Sequence, residues 1–229
     1  MSLQARTVRL VADPYPPYQF EDKGKVRGID QDTIGEALKA HGLRASTTLL
    51  PWSQCLQWMQ DRGADGIFQI APTPEREKQF LFSAQLREER TVLLRSRTGS
   101  LAIGDPARMK EELRGHTLGI LTGYSYGTTI DALPASLKME LASQEALLRA
   151  LAEGRVDAIL MDQGVADYLT KKLGLQPVER IESYELRRPL HVAFQQGEGE
   201  LVRLFNAGLE EIRKRGRDLR IFRRYGVRP

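Results

Sequence analysis

Short apolar runs alternate with amphipathic segments over the first seventy residues of the chain. TVRLVA (7–12), ASTTLLP (45–51) and ADGIFQIA (64–71) are rich in apolar and β-branched residues, which is typical of strands. Between them, GIDQDTIGEALKAHG (28–42) and WSQCLQWMQDRG (52–63) repeat apolar residues at helical spacing, and each ends at a glycine. The order strand, helix, strand, helix, strand predicts a parallel sheet with right-handed crossovers.

The same order of elements returns in the second half of the chain. RTVLLRS (90–96), HTLGIL (116–121), KMELA (138–142), VDAILMD (156–162) and LHVAFQQG (190–197) are predicted strands. Predicted helices lie near 124–132 and in SQEALLRALAEG (143–154), with a serine cap, GVADYLTKKLG (164–174) and GELVRLFNAGLEEIRKRG (199–216). The β-α-β-α-β pattern therefore occurs twice, which predicts an α/β fold.

Composition supports a globular protein and excludes several classes. The 229 residues suit one large domain or two lobes, and 41% hydrophobic residues suffice for a core. Net charge is +4, and the basic segment RKRGRDLRIFRRYG (213–226) is broken by apolar residues at helical spacing. We interpret it as a solvated helix face and expect no nucleic-acid partner. No segment approaches the ~20 apolar residues needed to cross a membrane.

Cysteine and histidine usage makes a metal or cofactor unexpected. The single cysteine, Cys55, follows the apolar pattern of a helix, so we expect it in the core. The three histidines show no metal-ligand spacing. No Ser–His–Asp arrangement or Cys–His pair is found either, which favours binding over catalysis.

Two charged residues stand where ligands bind in such folds, just beyond the carboxyl ends of predicted strands. Arg76 could hold a carboxylate in a bidentate manner, or it could pair with Glu75 or Glu77 on a helix surface. Asp162 could bind an ammonium group, or it could cap the helix that follows it. The residues alone leave both alternatives open.

Aromatic residues and one glycine-containing loop occupy the same kind of position. Tyr15, Tyr18 and Trp52 could line a pocket, although ordinary partial burial would also explain them. LTGYSYGTT (121–129) contains Gly123 and Ser125 ahead of a predicted helix, and its free backbone N–H groups would suit an anion. It lacks the lysine and glycine spacing of a nucleotide-binding loop.

Six motifs in order resemble the bacterial extracellular solute-binding proteins of family 3, the polar amino acid ABC transporter type. They are YPPYQF, GIDQDTIGEAL, ADGIFQIAPTPEREKQFLFS, GILTGYSYG, GRVDAILMDQGVADYL and VAFQQGEGELVRLFNAGLEEIRKRG with FRRYG, and they span almost the whole chain. The resemblance implies a periplasmic binding protein type II fold with two α/β lobes. Lobe one would comprise 1–88 and 190–229, and lobe two 89–189, with crossing strands near 86–90 and 186–190.

The resemblance also implies roles for particular residues. Arg76 would bind a ligand α-carboxylate and Asp162 the α-ammonium, in a cleft that closes on the ligand. Tyr15 and Trp52 would form aromatic walls, and Gly123–Ser125 would add bonds from lobe two.

Three positions depart from the family pattern, which indicates a divergent subgroup. Gln69 and Ala71 stand where the family has a small residue and a hydroxyl residue, and Tyr124 replaces a small hydroxyl residue. We expect all three at the ligand, together with Ser125.

The resemblance further implies an extracytoplasmic, monomeric protein that delivers an amino acid or small carboxylate to a membrane ABC permease. The start MSL before a strand at residue 7 predicts that a signal peptide has been replaced. Two alternatives use the same fold. One is the ligand-sensing extracellular domain of a histidine kinase or cyclase, and the other is a cyclohexadienyl dehydratase-like enzyme with a buried general acid.

Overall fold

The structure, a computed structural model, describes residues 6–227, so the start MSL lies outside it. The described chain forms two compact units. The first ends at Glu88 and resumes at Arg188, and the second comprises Glu89–Arg187. The chain passes from one unit to the other inside two strands, near the beginning of one and the middle of the other.

The first unit begins with β1 (Thr7–Ala12), the hairpin β2 (Phe20–Asp22) and β3 (Lys25–Arg27), α1 (Ile29–Lys39) and β4 (Arg44–Leu49). It continues with α2 (Trp52–Gln60), β5 (Gly66–Ile70), α3 (Pro74–Gln79) and β6 (Phe80–Phe82). The strand β7 (Arg87–Ser96) then leads into the second unit.

The second unit contains α4 (Met109–Glu112), β8 (Leu118–Leu121), α5 (Thr128–Asp131) and β9 (Lys138–Leu141). These are followed by α6 (Gln144–Ala152), β10 (Ala158–Asp162) and α7 (Gln163–Leu173). The long strand β11 (Val178–Gln195) returns to the first unit, where α8 (Gly199–Lys214) and α9 (Arg217–Arg224) follow.

Parallel strands form the centre of the first unit, as the alternation of strands and helices predicted. β1 lies between β4 and β5 and is parallel to both, with Leu10 opposite Thr47 and Gly66. The last part of β11 is antiparallel to β5 and β6. One face of this sheet packs against α1 and α8 around Phe194 and Phe205, whose ring centroids are 5.7 Å apart.

A second cluster of the first unit surrounds Cys55 and Met59 on α2, both of them buried. Burial, with the negative charge of Asp13, raises the pKa of the Cys55 thiol to about 12. Cys55 is therefore a core residue held as a neutral thiol, which confirms the prediction from the sequence.

The second unit repeats the parallel arrangement. β8 is parallel to both β9 and β10, and β7 is antiparallel to β10. α6 begins at the predicted serine cap, because the Ser143 Oγ accepts a hydrogen bond from the Ala146 N–H at 3.1 Å. Its apolar stripe is buried through Leu147, Leu148 and Leu151.

Several elements differ from the sequence predictions, mostly where proline obscured the pattern. β11 begins at Val178 and continues through Pro189, whereas the strand was expected only from residue 190. α3 was not predicted; it begins with Pro74, whose fixed φ suits a first helical position, and Thr73 caps it. The hairpin β2–β3 was also missed, whereas α9 lies in the basic segment 213–226 that was interpreted as a helix face.

Helices α1 and α8 approach so closely that only glycine fits at residue 208. A Cβ added to Gly208 would lie 2.0 Å from the Ala37 carbonyl oxygen of α1. We expect Gly208→Ala to reduce the free energy of unfolding by about 1–3 kcal/mol, because overpacking forces the helices apart. Urea unfolding followed by circular dichroism measures this difference.

The matched control for this substitution lies on α1. A Cβ at Gly35 would meet no atom within 4 Å, so Gly35→Ala should leave stability unchanged or raise it slightly. Equal stability of Gly208→Ala and the unaltered protein would contradict the close packing of α1 on α8.

Candidate functional site

Arg76 lies in the first turn of α3, just beyond the carboxyl end of β5. Its backbone N–H donates to the Thr73 hydroxyl at 3.3 Å, and its Nη1 donates to the Ala71 carbonyl oxygen at 2.9 Å. The guanidinium carbon is 5.6 Å from the centroid of the Trp52 ring. Ala71 and Trp52 therefore hold the guanidinium in one orientation while leaving most of its donors unused.

No carboxylate within the described chain pairs with Arg76. Glu75 and Glu77 are exposed and make no ion pair with Arg76. The alternative that Arg76 pairs with one of them on a helix surface is therefore wrong. Burial lowers the pKa of Arg76, and the positive charge of Arg188 lowers it further. A partly buried guanidinium beside a second positive charge would be stabilised by an anionic group.

Arg188 was not singled out from the sequence. It follows directly after the point where the chain returns to the first unit. The double arginine of RRP (187–189) was the only signal that could have indicated it.

Gln69 occupies a β-bulge near the carboxyl end of β5. In β11, Val192 is opposite Phe68 and His191 is opposite Ile70, so Gln69 is the extra residue, with a φ of 60°. The residue is 9% exposed, and no donor among the described residues reaches its Oε1. A strained backbone with an unsatisfied buried carboxamide is a combination that concentrates at functional sites.

Removing the Gln69 side chain should stabilise the unliganded protein. Gln69→Ala removes the unsatisfied amide, and Gln69→Gly also relieves the positive φ, worth roughly 1 kcal/mol. We therefore expect stability to rise in the order glutamine, alanine, glycine, as measured by the midpoint of thermal unfolding. Two variants that are both less stable than the unaltered protein would show that the carboxamide supports the fold.

The two tyrosines of the first strand-end loop are fixed by a buried ion pair. The rings of Tyr15 and Tyr18 stack with centroids 6.0 Å apart, and the Arg87 guanidinium lies 3.5 Å from the centroid of the Tyr18 ring. The Arg87 Nε donates to both Asp30 oxygens at 2.9 Å, with side chains only 4% and 2% exposed. Tyr15 is itself buried, and its role as a ligand wall stays a prediction.

Asp162 ends β10 in the second unit and caps α7. Its Oδ1 accepts from the Val165 N–H at 3.1 Å and its Oδ2 from the Arg90 N–H at 3.3 Å. The residue is 2% exposed. The structure therefore shows that Asp162 caps α7, which is one of the two roles considered from the sequence. Binding of a ligand ammonium by Asp162 stays a prediction.

Substitutions at Asp162 can separate the cap from its negative charge. Asp162→Ala removes the acceptor for Val165 and should cost about 0.5–2 kcal/mol of stability. Asp162→Asn keeps an oxygen acceptor, so it should lose clearly less stability while losing the charge. Urea unfolding of the three proteins tests this order, and equal losses in both variants would contradict it.

The loop after β8 is organised by Asp131 rather than by a helix terminus. The Ser125 hydroxyl donates to Asp131 at 2.6 Å, and the Tyr126 N–H donates to the same carboxylate at 2.9 Å. α5 begins only at Thr128 and spans four residues, not the predicted 124–132. The helix is therefore shorter than predicted, and anion binding by the loop that contains Gly123 and Ser125 stays a prediction.

Tyr126 and Tyr184 complete this loop and were missed from the sequence. The Tyr126 hydroxyl accepts from the Leu121 N–H at 3.0 Å, and the Tyr184 hydroxyl donates to the Tyr126 carbonyl at 2.9 Å. The Tyr124 ring lies 6.3 Å from that of Tyr126. Ligand contacts by Tyr124 and Ser125 stay predictions.

Glu185 on β11 is surrounded by arginines of the second unit. It forms ion pairs with Arg90, Arg180 and Arg187. Burial alone would raise the pKa of Glu185, but hydrogen bonds from Arg180 and Arg90 lower it to about 2. This carboxyl group is therefore ionised at neutral pH.

Residues 6–227 contain neither a cluster of metal-ligating side chains nor a membrane-spanning helix. No group of three or more His, Cys, Asp and Glu side chains in that range could hold a metal ion. No helix there is both long and apolar enough to cross a membrane.

The family model of the bacterial extracellular solute-binding proteins, family 3, matches residues 8–228. The chain belongs to this family. The resemblance seen in the sequence motifs is thereby confirmed, and a solute-binding role follows from membership.

Similar proteins agree with this assignment. A probable amino-acid ABC transporter-binding protein of Haemophilus influenzae is 26% identical over 208 residues, covering 88% of this chain and 77% of that protein. A histidine kinase sensor domain with similarity to periplasmic binding proteins superposes with a TM-score of 0.79 at 22% identity, covering 98% and 99% of the two chains.

An ancestral arginine-binding protein bound to arginine superposes with a TM-score of 0.78 at 23% identity, covering 96% and 98%. The solute-binding protein thus has the type II periplasmic binding protein fold, as predicted.

Proposed function

We propose that this solute-binding protein captures an amino acid, or a similar small polar carboxylate, and delivers it to a membrane ABC permease. The name of the Haemophilus influenzae relative supports both the ligand class and the transporter. The family is extracellular, which supports an extracytoplasmic protein made with a signal peptide. We propose that the two compact units act as its lobes and that the protein is a monomer.

Arg76 carries this proposal. It is partly buried, lacks a carboxylate partner within the described chain, and lies near the positive charge of Arg188. A ligand carboxylate would supply the missing negative charge and accept two parallel hydrogen bonds from the guanidinium. The bond to Ala71 and the Trp52 ring orient the guanidinium before the ligand arrives, which reduces the entropy lost on binding.

Gln69 supports a ligand with a further hydrogen-bonding group. Its side-chain Oε1 is buried and no described residue donates to it, and an N–H or O–H group of the ligand would satisfy this acceptor. In the second unit, we propose that Asp162 binds the ligand ammonium in addition to capping α7, with Tyr124 and Ser125 as further contacts.

Charge reversal at Arg76 should abolish ligand binding without unfolding the protein. A thermal-shift screen against amino acids and small carboxylates identifies the ligand, because a ligand at a hundred times its Kd adds about 2.7 kcal/mol of stability. Calorimetry should then show that Arg76→Glu loses at least about 100-fold in affinity and that Arg76→Lys loses less.

The control is Arg44→Glu, the same charge change at an exposed residue of β4 in the same unit. This variant should bind like the unaltered protein. Normal ligand affinity of a folded Arg76→Glu variant would contradict the assignment of the site.

Two alternatives remain distinguishable by experiment. The sensor alternative requires a natural gene product that continues into a segment of about 20 apolar residues, which sequencing the complete gene would reveal. The dehydratase-like alternative requires a buried general acid in the cleft. An assay for aromatic keto-acid production would test it directly.

A further inference from the structure

A groove between α1 and α9 on the first unit has a strongly basic lining. It encloses about 570 Å³, which is within the range of ligand-binding clefts. Its basic side chains are Arg27, Lys39, Arg217, Arg220 and Arg224. The groove shares no residue with the site around Arg76, so it needs a separate explanation.

The two acidic residues of the groove are already neutralised within it. Arg217 pairs with Glu36 at 2.9 Å, and Arg224 pairs with Asp32 at 3.2 Å. The Tyr225 hydroxyl also donates to Asp32 at 2.9 Å. Each acidic side chain of the groove is therefore paired with an arginine of the groove, and three of the five basic side chains take no part in these two pairs.

The surplus positive charge resides on Lys39 and Arg220. Neither side chain has a carboxylate partner in the described part of the chain, and Arg220 donates only to the Arg215 carbonyl oxygen at 3.4 Å. Arg27 pairs outside the groove, with Asp22 at 3.5 Å. A binding partner with several negative charges would complement this lining.

Gly35 forms part of the groove in the middle of α1. Glycine in a helix interior is destabilising relative to alanine. At Gly35 no close packing requires it, because an added Cβ would meet no atom within 4 Å. Gly35 and the buried Ile221 leave the groove open between two rows of charged side chains. Gly35 thus keeps the groove open and lowers the stability of α1.

The length of the groove favours an extended partner. Arg27 precedes α1 and Lys39 ends it, and an eleven-residue helix is about 16 Å long. An extended peptide of about five residues covers the same distance. A single phosphate would engage only one part of this lining, and a flat lipid surface would contact the rims rather than enter the groove.

We propose that the groove between α1 and α9 docks an extended acidic segment of a protein partner. Glutamate or aspartate side chains of that segment would pair with Arg220 and Lys39, and its backbone would pass over Gly35. This docking surface is separate from the ligand site and does not depend on the identity of the ligand.

A fluorescein-labelled hexaglutamate peptide is a suitable probe. Fluorescence anisotropy at about 10 mM salt, where the Debye length is about 30 Å, should detect binding to the whole protein. Arg220→Glu should weaken binding by about tenfold or more, because it places like charges together. Gly35→Met should also weaken binding about tenfold, although it changes no charge, because its side chain fills the groove.

The control is Arg223→Glu, the same charge change on the same helix at an exposed residue that does not line the groove. It should change the affinity by less than about twofold to threefold at this salt concentration. A loss as large as that of Arg220→Glu would show binding by net charge alone and would overturn the proposal. Unchanged binding by Gly35→Met would overturn it as well.

Thermal unfolding of each variant checks that it is folded, and Lys39→Glu replaces any variant that is not. Vesicles of phosphatidylglycerol provide the remaining comparison in a sedimentation assay. Binding to vesicles that requires Arg220, without binding to the peptide, would assign the groove to a lipid surface and overturn the proposal.

Discussion

The buried ion pair between Asp30 and Arg87 joins three parts of the first unit. Asp30 is in the first turn of α1, Arg87 begins the strand that leads to the second unit, and the Tyr18 ring lies against the guanidinium. Removing two charges from water costs several kcal/mol per ion, and only close pairing offsets this cost. The pair therefore fixes the position of α1 relative to the start of β7. It also fixes the tyrosine loop at the edge of the sheet.

The candidate site differs from this pair in one physical respect. Arg87 is compensated by Asp30, whereas Arg76 has no carboxylate partner within the described chain and lies near Arg188. Gln69 adds a strained backbone and an unsatisfied acceptor at the same end of β5. A bound carboxylate would compensate the charge of Arg76, and a hydrogen-bond donor of the ligand would satisfy the Gln69 Oε1. Unfavourable features of this kind, an uncompensated charge and a strained backbone, are expected at ligand-binding sites.

Helix α1 has two different faces with different tasks. Its buried face carries Asp30 and packs on α8, where Gly208 permits contact with the Ala37 carbonyl. Its outer face carries Glu36 and Lys39 and forms one side of the basic groove. Gly35 belongs to the outer face and has no packing role, which distinguishes it from Gly208. Gly208 of α8 is therefore explained by close packing, whereas Gly35 of α1 leaves open space in the groove.

Local patterns in the sequence determined most of the regular elements and the positions of Arg76 and Asp162 in the candidate site. The apolar runs of β1, β4 and β5, the amphipathic stripe and serine cap of α6, and the capping position of Asp162 depend on residues a few positions apart. Arg76 was also located from the sequence, because the end of a parallel strand is where ligands bind. Only the tertiary structure decided that it pairs with neither Glu75 nor Glu77. The tertiary structure also revealed three features that the sequence did not predict. These are the bulge at Gln69, the continuation of β11 through Pro189 and the position of Arg188 near Arg76. Each of these features depends on contacts between residues far apart in the chain, and periodicity and local propensity carry no information about such contacts.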